Sequence, residues 1–182
     1  MNESQLYALK FPLGEFDDSI HVDAEAVQNW IAEIASFPQR MKDLTEGLSV
    51  EQSNWRYRPE GWTIKQVVHH CADSHLNSLV RFKLALTEEE PKIRPYYEDR
   101  WAQLVDGQDD DLSYSLMLLE GLHYRWVKLL RGLSPIDLKR GYLHPEFDSR
   151  VALEQAIGLY AWHGNHHLAH VRQAVAFRGE FL

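Results

Sequence analysis

The chain has 182 residues, a formal charge of −8 and a pI near 5.6. That length suits one domain with a sizeable core, so residues 1–182 are read as a single unit. The acidic balance argues against a nucleic-acid or anionic-membrane partner, and no apolar run is long enough for a membrane-spanning helix. The one cysteine, Cys71, excludes an internal disulfide framework and fits a reducing cytoplasm. The N-terminus, MNESQLYALKF, lacks the basic and apolar regions of a signal peptide.

Residues 1–22 read as an extended arm laid over the body, with Pro12, Gly14 and the turn material Asp17-Asp18-Ser19 breaking any periodicity. A helical bundle is expected over 23–178. Asp23 is a good N-cap for the first long helix, in which Val27, Trp30, Ile31, Ile34 and Phe37 follow helical spacing. Pro38 predicts a kink there before the pattern resumes through Met41 and Leu44, and Gly47 ends it. Ser49 caps a short turn. Thr63 with Gln66 three residues on is a capping-box pattern, opening a second helix to about Leu86. Its apolar face carries Ile64, Val68, Cys71, Ala72, His75, Leu79, Phe82 and Leu86. His70 shares a semi-polar face with Thr63, Val67, Ser74, Asn77 and Arg81, the pattern of a cleft wall.

Residues 87–100 hold Glu88-Glu89-Glu90, Pro91 and Pro95 and read as a long connection over one end of the bundle, with Tyr96, Tyr97 and Trp101 as lid candidates. Asp109-Asp110-Asp111 complements the N-terminal dipole of a third helix carrying Leu112, Leu116, Leu119, Leu122, Trp126, Leu129 and Leu130, which Gly132 stops. Ser134 to Asp137 forms a brief turn, and Gly141 to Arg150 reads as irregular or as a small hairpin. A fourth helix spans about Val151 to Phe177. Four long amphipathic segments point to an all-α four-helix bundle with one long crossover.

The fourth helix carries four histidines within eight residues: His163, His166, His167 and His170. Ligand pairs on a helix want i, i+4 spacing, because those side chains share a face one turn apart. Two pairs qualify, His163 with His167 and His166 with His170. Alanines at 156 and 174 flank the first pair and leave room for a cavity; Leu159 and Phe177 would fill the space around the second. That favours His163 and His167, with His70 completing the set from the second helix. Three neutral imidazoles suit one divalent ion, Zn²⁺ or Ni²⁺ first and also Co²⁺ or Fe²⁺, with an open coordination position. The heading of Cys71 makes it a poor fourth ligand. His75, like His21, His123 and His144, reads as an ordinary core or surface residue, and no general base stands out.

The stretch Gly61-Trp62-Thr63-Ile64-Lys65-Gln66-Val67-Val68-His69-His70, followed by His163-x-x-x-His167-Leu168-Ala169, resembles the DinB-like family, and within it the YfiT branch of bacilli. Ala72-Asp73-Ser74-His75, Arg81-Phe82-Lys83-Leu84, Ile93-Arg94-Pro95-Tyr96 and Gly158-Leu159-Tyr160 extend the likeness over nearly the whole chain. The resemblance implies an up-down-down-up bundle with His70, His163 and His167 as the metal ligands, and a homodimer. Members of this branch are provisionally described as metal-dependent hydrolases and are similar to thiol S-transferases that use bacillithiol. The expected function is therefore a metal-dependent enzyme that activates water or a small thiol toward a small-molecule substrate. Arg81 and Asn77 are candidates for the thiol or substrate pocket, with Arg94 and Arg100 as further cations for carboxylates. Two competing readings are a non-catalytic metal- or thiol-metabolite sensor and a purely structural bundle.

Overall fold

A computed structural model describes residues 1–146 and 149–181. Phe147 and Asp148, inside the expected hairpin, and Leu182 lie outside the described residues. The elements in order are α1 (Glu3–Lys10), α2 (Ala24–Thr45), α3 (Val50–Ser53), α4 (Ile64–Thr87), α5 (Glu98–Trp101), α6 (Ser113–Arg131), α7 (Pro135–Lys139), β1 (Gly141–His144), β2 (Ser149–Ala152) and α8 (Leu153–Phe177).

The four long helices form the bundle, and their paired contacts give its direction. Trp30 packs over Gly158 and Phe37 over Gly164, so α2 and α8 rise together. His70 meets His167 while His75 meets His163, so α4 and α8 run oppositely. His69 meets Ser115, His75 meets His123 and Phe82 meets Trp126, so α4 and α6 run the same way. The order is therefore up-down-down-up. Parallel neighbours cannot be joined by a tight turn, which is why residues 88–112 form a long crossover between α4 and α6.

Each boundary has a local cause. Asp23 caps α2 through its carboxylate to the Ala26 N–H. Thr63 and Gln66 form the expected capping box on α4, and the Gln66 amide also donates to the Ala102 carbonyl at 2.9 Å, pinning the crossover to the start of that helix. The crossover is tied at its other end by backbone bonds from Ile93 N–H to the Leu143 carbonyl and from Leu143 N–H to the Pro91 carbonyl. Strands β1 and β2 pair antiparallel from Gly141↔Ala152 to His144↔Ser149 and deliver the chain into α8. Glycine is required on α8 at two points of close approach. A Cβ at Gly158 would lie 3.1 Å from the Trp30 ring, and one at Gly164 would lie 2.9 Å from the Phe37 ring. These contacts bring α2 close beneath the histidine segment.

One expectation needs correction. The N-terminal arm is not extended throughout: Asn2 and Gln5 form a reciprocal capping box that nucleates α1. The arm does lie on the body, through His170 and Gln173, whose side chains donate to the Lys10 and Leu9 carbonyls. The helical pattern does resume beyond Pro38, which lies inside an α2 continuous from Ala24 to Thr45. Proline removes the N–H that would bond to the carbonyl four residues back, here that of Ile34. That carbonyl instead accepts a 2.7 Å hydrogen bond from His123 Nδ1 on α6.

Candidate metal centre

The capping box starts α4 so that His70 falls on its second turn, on a face with Ser74 and Arg81 that opens to a cavity of about 700 Å³. From α8, His163 and His167 project one turn apart toward the same space. One ligand nitrogen from each of His70, His163 and His167 lies within 4.8 Å of the other two. The Nε2 atoms of His70 and His163 are 3.3 Å apart. Two nitrogens at metal–N distances of about 2.0–2.1 Å on a tetrahedral ion stand about 3.3–3.4 Å apart, so this pair is already at ligand spacing. Trp62 packs against the set, tilted on His70 at 4.6 Å between ring centres and stacked with His167 at 6.4 Å.

The imidazoles are held neutral. Burial, and then the nearby His166, bring His70 down to about 4. Burial and the surrounding histidines push His163 and His167 well below the ordinary histidine range. A neutral ring has a free lone pair, the form a metal ligand needs. The donor set therefore fits a divalent ion with borderline preference.

The other histidines separate by their partners. His69 faces α6: its Nε2–H donates to the Asp109 carbonyl at 2.9 Å and its Nδ1 accepts from the Ser115 hydroxyl at 2.8 Å. His170 stacks on Tyr57 with ring centres 3.8 Å apart and donates to Lys10, so it anchors the arm. His166 stacks on Trp162 at 4.6 Å. Although His166 and His170 also border the cavity, the ligand set that converges among the described residues is His70, His163 and His167. Cys71 is fully buried in the apolar core, where burial pushes its thiol up and keeps it protonated.

Of the two pocket candidates, Arg81 lines the cavity and Asn77 does not; the Asn77 amide turns back to the Asp73 carbonyl at 2.9 Å. Arg100 instead lies over the Tyr97 ring, 4.3 Å from its centre. Tyr96 and Pro95 of the crossover reach the cavity wall, while Tyr97 is largely exposed. Sequence reasoning missed Lys10 and Arg58, and also Tyr142 and His144 of β1, all of which line the cavity. The basic pair comes from the docked arm and a loop, which carry no periodic signal. The sequence reads 141–150 as irregular or as a small hairpin and gives no sign that its first strand forms a wall of the cavity. Sequence reasoning also treated His75 and His123 as ordinary residues. Both are buried, and they form a contact chain to the site: His123 Nε2 lies 2.8 Å from His75 Nδ1, and His75 Nε2 lies 3.2 Å from His163 Nδ1.

Comparison with known proteins gives the family and the fold. The model of the DinB superfamily matches residues 24–171. The chain belongs to the DinB superfamily. YfiT of Bacillus subtilis, named provisionally as a metal-dependent hydrolase, is 46% identical over 165 residues, covering 91% of this chain and 93% of YfiT. A relative from Oceanobacillus iheyensis with the same provisional description is 47% identical over 162 residues, 89% of this chain and 93% of its own. The solved structure of YfiT superposes with a TM-score of 0.91 at 44% identity, covering 96% of this chain and 99% of that one; it is described as an unusual four-helix bundle. Among the described residues no helix is long and apolar enough to cross a membrane.

Proposed function

We propose that this DinB-superfamily chain is a metal-dependent enzyme that uses His70, His163 and His167 to hold one divalent ion, Zn²⁺ or Ni²⁺, and acts on a small molecule in the adjoining cavity. The observation that carries the reading is the convergence of three neutral imidazoles at the wall of a roughly 700 Å³ cavity. Such a bound ion supplies a Lewis acid that lowers the pKa of a coordinated water or thiol. The chain's own residues do the rest. The two helices set the ligands at fixed spacing, Trp62 shields them on one side, and the cavity receives the substrate. The cavity wall is of mixed charge, with Arg81, Arg58 and Lys10 among Glu60, Glu98, Asp99 and Glu146; in the S-transferase version the three cations are the groups that meet the carboxylates of a thiol cosubstrate such as bacillithiol. Water as the nucleophile gives the hydrolase version, in keeping with the provisional description of the relatives.

The test mixes purified chain, Zn²⁺ or Ni²⁺, bacillithiol and a chromogenic electrophile, with a chromogenic ester in parallel. Conjugation above the uncatalysed rate supports the transferase version, and ester cleavage without thiol supports the hydrolase version. Metal binding with neither activity would favour the sensor reading. We further propose a homodimer, supported by the exposed Tyr114, Met117 and Tyr124 on α6 and checked by light scattering in solution.

A further inference from the structure

The contact chain behind His163 has a direction that follows from hydrogen-bond chemistry alone. A carbonyl oxygen accepts and never donates. The Ile34 carbonyl, which lacks its helical donor because residue 38 is proline, therefore requires the proton of the 2.7 Å contact to sit on His123 Nδ1. A neutral imidazole carries one ring proton, so His123 Nε2 is bare and must accept. Its partner at 2.8 Å is His75 Nδ1, which therefore carries the proton. His75 Nε2 is then bare and accepts from His163 Nδ1–H at 3.2 Å. That leaves His163 Nε2, the atom 3.3 Å from His70 Nε2, without a proton.

We propose that His123 and His75, set in order by the carbonyl that Pro38 orphans, are positioning residues that lock His163 in the Nδ1–H tautomer and present its Nε2 to the metal.

This rests on the reading of His163 as a ligand. The surroundings suit such a relay. Phe37 packs on both intermediate rings, with centres 4.8 Å from His75 and 5.4 Å from His123. Trp126 packs edge-on to both from the other side. Both rings are all but inaccessible to solvent. Metal-bound histidines usually donate their second N–H to a carboxylate, a carbonyl or water. Here the acceptor is another imidazole, and the carbonyl stands two rings further back. The arrangement is also asymmetric: Nδ1 of His167 is buried with no hydrogen-bond partner among the described residues, so the relay serves His163 and not its neighbour one turn on.

The test begins with metal-free full-length protein labelled with ¹⁵N at histidine. Long-range ¹H–¹⁵N correlation spectra distinguish protonated from bare ring nitrogens. The expected result is a protonated Nδ1 and a bare Nε2 on His123, His75 and His163 together. A predominant Nε2–H tautomer on His75 or His163 overturns the proposal. Zn²⁺ affinity, measured against a chromogenic chelator, supplies the second readout. His75→Leu removes the acceptor and should weaken binding about 10–100-fold while His163 loses its single tautomer. His75→Gln keeps an acceptor oxygen toward His163 and should recover most of the affinity and the Nδ1–H signal. Equal weakening by Leu and Gln would assign His75 a packing role only and sink the relay. Should the Leu variant fail to fold by circular dichroism, the wild-type spectrum and the Gln variant still decide. Absence of zinc binding by the wild type would instead overturn the metal reading, while the tautomers continue to judge the relay.

Discussion

Burial of many neutral histidines in one small bundle makes a sharp prediction about acid. His70, His75, His123, His163, His167 and His170 all have their pKa values lowered, chiefly by desolvation: His70 and His123 to about 4, His170 to about 3, and the others well below the ordinary range. In the unfolded chain each returns to about 6.5. Below that pH the unfolded state binds more protons than the folded one, so stability falls as pH falls. Between pH 7 and 5.5 the loss is about 1.2 kcal/mol for each histidine that stays neutral in the fold, and ~7 kcal/mol for six. A typical domain holds only about 5–15 kcal/mol in total. Asp73 pushes the other way, because burial raises its carboxyl to about 6, but it is only half-buried and its contribution is screened. Chelator-treated protein should therefore show a steady urea midpoint from pH 8 to 7, followed by a collapse between pH 6.5 and 5, read by far-UV circular dichroism. Ordinary carboxylates titrate mostly below this window, which isolates the histidines. A midpoint unchanged between pH 7 and 5 would refute the claim that these rings are buried neutral.

Three further expectations concern packing, capping and the cavity. Gly164→Val places methyl groups against the Phe37 ring, where even a Cβ would stand at 2.9 Å, and should cost about 1–3 kcal/mol by denaturant titration. Thr63→Ala removes the cap that opens α4 and should cost about 1 kcal/mol in the same assay, with Zn²⁺ affinity reduced because His70 rides on that helix end. Arg81→Ala should raise KM for a carboxylate-bearing thiol or substrate about tenfold or more, the worth of one charge-assisted hydrogen bond, and leave metal content unchanged; equal KM values would remove Arg81 from the substrate pocket.

Much of the bundle was legible because its signals are local. The Thr63 and Gln66 box, the Asp23 cap and the apolar stripes depend only on neighbours one turn away, and each stands where expected. The preference for His163 and His167 over His166 and His170 rested on the small residues at 156 and 174, but both alanines are buried in the core and do not line the cavity, whereas Leu159, expected to fill the space beside the second pair, does. The Asn2 and Gln5 box was equally local but was masked by the breakers at Pro12 and Gly14 that follow it. What stayed hidden was tertiary. Pro38 signals a missing backbone donor inside α2, and only the tertiary structure shows that His123, from another helix, donates to the orphaned Ile34 carbonyl. His75 on an apolar face suggests core, and only its neighbours reveal a polar chain across the bundle. Lys10 and Arg58 reach the cavity because an arm and a loop dock there, which no periodicity encodes.

The central claim is that three imidazoles from two helices hold one ion, and metal stoichiometry tests it most directly. Chain prepared without a histidine tag is loaded with Zn²⁺ or Ni²⁺, desalted and analysed for metal and protein. One ion per chain is expected, with retention lost in His70→Ala and His167→Ala variants that remain folded by circular dichroism. No stoichiometric metal in the wild-type chain, or equal retention in the variants, would contradict the account.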